Sequence, residues 1–289
     1  GDVDHNGFLD LFVANASNKN NYLYLNLGGG AFQKITTGSV VTDGGHSHGC
    51  SFADVDNDGD VDLYITNDAN DKFLYLNDGS GQFIRRTNEV ITADYGKSIG
   101  HSWSDLDKDG DLDLFSVTHS NERNHLFWNN GNSNHWLQIK LSGTTSNKSA
   151  VGARIKIKCN GKWQLREVVS QSGIGGQSSY RNHFGLGNAT QVDSLVIHWP
   201  SGTVQVLTNV PSNQHMIITE ASSSSIETKI YVDKNNNCVR DADEFYLANQ
   251  SITLMPLNIK LITDATGTVQ ANVAPGNYTL KLTNTSKYE

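Results

Sequence analysis

A chain of 289 residues is long enough for two or three domains, each burying its own core. Apolar residues make up only 37%, glycine is abundant at 27, and no run approaches the roughly 18 apolar residues of a spanning helix, which points to short strands joined by many turns. The net charge of −8 argues against a nucleic-acid partner, which would require a basic face.

The acidity has a local source, since 17 of the 30 carboxylates fall in four short loops. The first loop, near the start of the chain, holds Asp2, Asp4, Asn6, Phe8 and Asp10. The second runs Asp54-Val-Asp-Asn-Asp-Gly-Asp-Val-Asp62 and the third Asp105-Leu-Asp-Lys-Asp-Gly-Asp-Leu-Asp113. Side chains so charged repel one another strongly unless a cation lies among them. The spacing is that of a Ca²⁺ loop, with oxygens from positions 1, 3 and 5, a backbone carbonyl at 7, a further ligand at 9 and glycine at 6. Positions 1, 3, 5 and 9 of the second loop are Asp54, Asp56, Asp58 and Asp62, Gly59 is the turn, and Asp60 offers the carbonyl. The third supplies Asp105, Asp107, Asp109 and Asp113 with the carbonyl of Asp111, and the first uses the carbonyl of Phe8. Position 12 of the second loop is Ile65, within an apolar run, so each loop leads into a strand rather than a helix. Successive loops begin 52 and 51 residues apart, which makes a unit of about fifty residues the repeating element.

Each loop is followed by matching elements. Leu11–Asn15, Leu63–Asn67 and Leu114–Thr118 read as buried strands, then Tyr22–Asn26, Phe73–Asn77 and His125–Asn129, each ending in Asn and a glycine-containing turn. Ala31–Ile35 and Gln82–Arg85 follow as short strands, and Gly49–Ala53 leads into the second loop. Four antiparallel strands per fifty residues describe a β-propeller blade. These units resemble the FG-GAP or VCBS repeats of integrin-type propellers, whose blade loops hold Ca²⁺. The resemblance covers residues 1–132 and about three blades. Because the chain opens at Gly1 inside a motif, further blades are expected upstream.

From His135 the repeat stops. His135–Leu141 and Gly152–Lys158 alternate as strands, followed by Gln164–Val168, Gly173–Gln177, His183–Gly187, Val192–Gly202 and Gln205–Leu207. This string, over residues 134–220, resembles the ASPIC/UnbV domain found behind FG-GAP propellers in secreted proteins of the cartilage acidic protein type. The family's aromatic before its Ser-Gln pair is not evident around Gly175–Ser179. Ala221–Ser225 reads as a short flexible linker.

Beyond the linker a fourth loop places Asp233, Asn235, Asn237, Asp241 and Glu244 at positions 1, 3, 5, 9 and 12, with the carbonyl of Val239 at 7. Cys238 takes the glycine place, and two Asn in place of Asp weaken the expected binding. Ser251–Met255, Ile259–Ile262, Thr268–Ala271 and Tyr278–Leu282 read as strands. The stretch 226–289 is similar to the B-like Ca²⁺-binding β-sandwich domains of bacterial surface adhesins.

No G-x-S-x-G, H-E-x-x-H or phosphate-binding glycine loop is present, and no enzyme is expected. His46-Ser-His48 sets two imidazoles on one side of a strand, as a transition-metal pair needs, though two polar residues leading into a blade are the plainer reading. His101 is read as structural, and Trp136, Trp163 and Trp199 as core rather than a sugar platform. Arg166, Glu167, His183 and Asp193 are acid–base types without a catalytic pattern. Cys50, Cys159 and Cys238 are odd in number and far apart, so no disulfide framework is predicted. Together these features predict an all-β chain: a partial β-propeller of about three blades followed by two smaller β-domains. Ca²⁺ is the expected cofactor. The expected role is adhesion or ligand binding, outside the cell or on its surface, to a glycan or matrix partner. The alternatives are a Ca²⁺-dependent polysaccharide-degrading enzyme with its catalytic groups upstream, or a structural spacer.

Overall fold

In the computed structural model, residues 1–68, 71–93, 96–171 and 173–283 are described, so the end of the expected third domain, 284–289, lies outside them. The fold is all-β, with one short helix among the described residues, α1 (Ser39–Thr42). The first sheet orders β1 (Leu11–Val13), β2 (Tyr22–Gly28) and β3 (Ala31–Ile35). The second is a complete four-stranded antiparallel blade of β4 (Ser47–Ala53), β5 (Asp62–Asn67), β6 (Phe73–Asn77) and β7 (Phe83–Arg86). The third comprises β8 (Ser98–Ser104), β9 (Asp113–Thr118) and β10 (His125–Phe127).

The three sheets stack face against face. Alternation on β5 explains how: Leu63 and Ile65 point one way into a core with Val3, Phe12, Leu23 and Phe73, while Tyr64 points the other way toward Trp103, Leu112 and Leu114. Every residue of β5 is buried, and its centre, Leu63–Ile65, is apolar on both faces.

The second unit is a sandwich. One sheet orders β14 (Arg181–Gly187), β11 (His135–Ser142) and β17 (Gln214–Thr219), and the other β13 (Lys162–Glu167), β12 (Arg154–Cys159), β15 (Gln191–His198) and β16 (Val204–Pro211). Leu137, Ile139, Ile155, Ile157, Leu195 and Ile197 alternate inward to fill its core, each contributing roughly 1.5–3 kcal/mol by burial. Trp199 belongs to this core, whereas Trp163 is exposed. Gly173–Gln177 forms a loop rather than a strand. Its glycines let it lie against the edges of β4 and β8: a Cβ on Gly173 would meet Cys50 O at 2.7 Å, and one on Gly176 would overlap His101 O.

The expected linker is partly ordered into the sheet. Ser224 and Ser225 begin β18 (Ser224–Lys229), pairing with Val273 and Asn272 of β21 (Thr268–Val273), and β21 meets the edge of β16 at Val204. Serine composition signals flexibility only where no free strand edge is within reach. A last sheet orders β20 (Ile259–Ile262), β19 (Ser251–Met255) and β22 (Thr279–Leu282). Leu254, Leu257 and Val273 pack on Val196 and Val204, so the C-terminal stretch shares a core with the sandwich.

Glu220 pins this junction. Its carboxylate accepts the N–H groups of Thr144, Thr145 and Ser146 at 2.7–2.9 Å and the hydroxyls of Ser146 and Ser201 at 2.9 and 2.6 Å. Burial alone would raise this carboxyl, but the five donors prevail and draw it down to about 2. Because the folded pKa is depressed, the stabilisation is present above the unfolded value near 4.3 and is lost as pH falls toward 2. Glu220→Gln should cost roughly 2–3 kcal/mol near neutral pH. In thermal melts from pH 6 to pH 2, the gap between wild type and variant should narrow with acid. A gap independent of pH would refute the assignment.

Candidate metal centres

The three blade loops share one hydrogen-bonding plan, atom for atom. Position 4 (His5, Asn57, Lys108) and the glycine at position 6 both take positive φ, a tight coil that turns successive N–H groups inward. The glycine N–H donates to Oδ2 of the position-1 aspartate: Gly7 to Asp2, Gly59 to Asp54 and Gly110 to Asp105, at 3.1, 3.1 and 3.2 Å. Position 5 donates its N–H to position 3, as Asn6 to Asp4, Asp58 to Asp56 and Asp109 to Asp107.

Position 9 ties the loop to its blade. Asp10, Asp62 and Asp113 accept the position-2 N–H on Oδ2 (Val3, Val55 and Leu106, 2.8–2.9 Å). Their Oδ1 accepts the N–H of the asparagine closing the next strand: Asn26 at 2.7 Å, Asn77 at 3.0 Å and Asn129 at 3.0 Å. The asparagine amides also cross between blades, Asn77 to Val3 O at 2.8 Å and Asn129 to Val55 O at 2.9 Å. The recurrence of Asn 16, 15 and 16 residues after position 9 was the available sequence signal for this role.

Ligand atoms from Asp2, Asp4 and Asp10, from Asp54, Asp56 and Asp58, and from Asp105, Asp107 and Asp113 each fall within 4.8 Å of one another. The position-7 side chains turn elsewhere. Asp60 Oδ1 lies 2.5 Å from His5 Nε2 and Asp111 Oδ1 accepts from Asn57 Nδ2 at 2.6 Å, so each reaches position 4 of the preceding loop and leaves only its carbonyl for an ion. The His5 pKa is raised by this bond to Asp60.

One atom is left over in every copy. Oδ1 of Asp2, Asp54 and Asp105 is buried with no hydrogen-bond partner. Burial pushes the Asp54 carboxyl up to about 7, an effect the neighbouring Arg166 charge opposes and Asp58 and Asp56 reinforce. Burial likewise raises Asp58 and Asp111 to about 6. A carboxylate oxygen held away from water without a partner is costly, and a hard cation among the position-1, -3 and -5 or -9 oxygens would remove that cost. The donor set, all oxygen, fits such an ion.

The fourth loop has the same coil, with Asn236 and Cys238 at φ 58° and 60° and Cys238 N–H donating to Asp233 Oδ2 at 2.8 Å. It differs at the ligands. The amides of Asn235 and Asn237 donate to Asp241 Oδ2 at 2.6 and 3.0 Å, and Glu244 accepts from the N–H groups of Lys234 and Asp241. It has no orphaned carboxylate oxygen among the described residues. The carbonyl-bearing Val239 is itself exposed.

The sandwich seals the blade loops. Gly185 N–H donates to Asp54 Oδ2 at 2.9 Å and Gly187 N–H to Asn57 O at 2.8 Å, while Gln138 Nε2 donates to Asp105 Oδ2 at 2.9 Å. Trp136 covers Gly110 so closely that a Cβ there would overlap the indole, and stacks obliquely on His215 at 4.9 Å. Burial lowers the His183 pKa to about 3, which keeps its ring neutral; Nε2–H then donates to Asn57 Oδ1 at 2.6 Å and Nδ1 accepts from Gln138 at 3.3 Å. His183 is thus a docking group, and Arg154 holds Glu167 at 3.0 Å. His101 is buried, its Nε2 2.6 Å from Ser51 Oγ and its ring edge-on to Tyr64, and burial lowers it to about 4.

Stacked antiparallel blades with acidic loops, sealed by a sandwich, define a β-propeller-like architecture. Family models agree: the FG-GAP-like repeat matches residues 2–65 and 54–116, and ASPIC and UnbV matches 143–225. The chain thus carries FG-GAP-like repeats followed by an ASPIC and UnbV domain. Such repeats are typical of extracellular proteins, and no helix among the described residues is long and apolar enough to cross a membrane. No curated protein matches the chain. Among solved structures, the Bacillus anthracis TIE protein is similar at 13% identity, covering 95% of this chain with a TM-score of 0.20. The chain spans 52% of that structure's length.

Gly185 sits where any side chain would strike the second loop: a Cβ would lie 2.3 Å from Asp54 Oδ2 and 2.4 Å from the Asn57 carbonyl carbon. Gly185→Ala should therefore destabilise the chain by about 1–3 kcal/mol and open the seam to protease. An unchanged melt and digestion pattern would show that the two units are not docked this way.

Proposed function

We propose that Ca²⁺ fills the three blade loops and that the chain is part of a secreted or cell-surface, non-enzymatic binding protein. The observation that carries the proposal is the orphaned Oδ1 of Asp2, Asp54 and Asp105, the same buried atom in three independent copies. Chance rarely repeats a defect in register. Asp2, Asp4, Asn6 and Asp10 with the Phe8 carbonyl would hold one ion, and the two later loops would hold theirs with the corresponding residues. The ion supplies positive charge alone; orientation comes from the glycine N–H groups and from the strand-end asparagines. The fourth loop, satisfied by its own amides, would bind more weakly. Filled loops rigidify the blades and the seam, and the rigid surface would present a site for an extracellular glycan or matrix protein.

A ligand that binds only the folded chain stabilises it by about 2.7 kcal/mol per site when present at 100 times its Kd. Millimolar Ca²⁺ should thus raise Tm by many degrees over excess chelator. Asp56→Ala, which removes a position-3 ligand, should lower Tm in Ca²⁺ and change little in chelator. Equal losses in both conditions would rule out a metal role for that loop.

A further inference from the structure

At the far end of the same strands lies a cluster of different chemistry. The acidic loops join β4 to β5 and β8 to β9. His46 and His48 stand at the start of β4, Asp68 directly follows β5, and His119 directly follows β9, so these four meet at the opposite end of the blades from the acidic loops. Asp68 N–H donates to His46 O at 3.0 Å, which places the two residues side by side. His119 holds the position in the third blade that Asp68 holds in the second, its N–H donating to Lys97 O just before β8.

The side chains converge. The His46 and His48 rings stack 5.2 Å apart, with Nδ1 of the first 3.1 Å from Nε2 of the second. One ligand atom from each of His46, His48 and Asp68 lies within 4.8 Å of the other two. Asp68 Oδ1 is buried without a hydrogen bond and lies 3.3 Å from His119 Nε2. Donors about 2 Å from a common tetrahedral ion stand roughly 3.3 Å apart, close to the 3.1 Å between the two imidazole nitrogens. Two imidazoles, borderline donors, with one carboxylate make a mixed nitrogen–oxygen set, unlike the all-oxygen loops.

We propose that His46, His48 and Asp68 form a binding site for a first-row divalent transition ion, Zn²⁺ foremost, with His119 orienting the carboxylate. Three ligands from the chain leave one coordination position for water or a group from a bound molecule. The site is independent of the blade loops, sharing no ligand with them.

Titration of Zn²⁺ into the full chain held in millimolar Ca²⁺, with Co²⁺ as a visible-absorption probe, tests the proposal. One Zn²⁺ per chain should bind, and Co²⁺ should give the intense absorption of a low-coordinate nitrogen–oxygen site. His48→Ala and Asp68→Asn should each weaken binding by more than about 100-fold and His119→Gln by about tenfold, with melting in Ca²⁺ retained. Cys238→Ser should leave Zn²⁺ binding unchanged. Absence of saturable one-to-one binding, equal affinity in His48→Ala, or loss in Cys238→Ser would overturn the site. Should His48→Ala fail to melt cooperatively, Asp68→Asn and His119→Gln decide.

Discussion

The structure turns on three carboxylates that cannot stand alone. Asp2, Asp54 and Asp105 sit at the seam between the blades and the sandwich, each with one oxygen on a glycine N–H and the other buried without a partner. An uncompensated buried charge is worth several kcal/mol, comparable to the net stability of a domain. The blade loops, the sandwich contacts and the apolar stack beneath them therefore depend on how that charge is answered. For Asp54 and Asp105 the sandwich answers part of it, through Gly185 N–H and Gln138. The remainder is what the proposed Ca²⁺ would answer.

Lateral ties make the array more than a row of sheets. Each blade hands the next two bonds: the strand-end asparagine reaches the previous loop's position-2 carbonyl, and the position-7 aspartate reaches the previous position-4 side chain. This is nearest-neighbour coupling of the kind that governs repeat proteins. At the third blade the sandwich takes over from a following blade, covering Gly110 with Trp136. Across the seam runs a relay from Asp105 through Gln138, His183 and Asn57 to Asp111, which returns to the loop where it began. Each member is satisfied only while the two units stay docked, so the network favours a single arrangement of the pair.

What could be read in the chain beforehand was whatever repeats or alternates locally. The three loops, the fifty-residue period and nearly every blade strand follow from period-two patterning and glycine turns, as Leu63 and Ile65 alternating with Tyr64 illustrate. The docking was hidden. Gly185 meets Asp54 across 131 residues and His183 meets Asn57 across 126, and no window of sequence carries such pairings. Strand β17 escaped notice because its residues fall on a sheet edge with polar neighbours, and β18 because serines masked it. His46 and His48 are visible as a pair, whereas Asp68 reaches them only through the pairing of β4 with β5, and His119 only after two blades stack.

The fourth loop sets the same pattern in different surroundings. Its backbone follows the other three down to the N–H from position 6 onto position 1, with Cys238 forced into a conformation glycine would adopt freely. Yet Asn235 and Asn237 put N–H donors where aspartates would put oxygens, and Asp241 absorbs them. With Asp233 only half-buried, none of its oxygens is stranded. The blade loops differ in two respects at once: a carboxylate at position 3, and in the second and third loops also at position 5, in place of amides, and a position-1 aspartate pressed against neighbouring structure. Charge density sets the attraction for an ion, but burial sets the penalty for being without one, and only the combination would make an ion part of the fold.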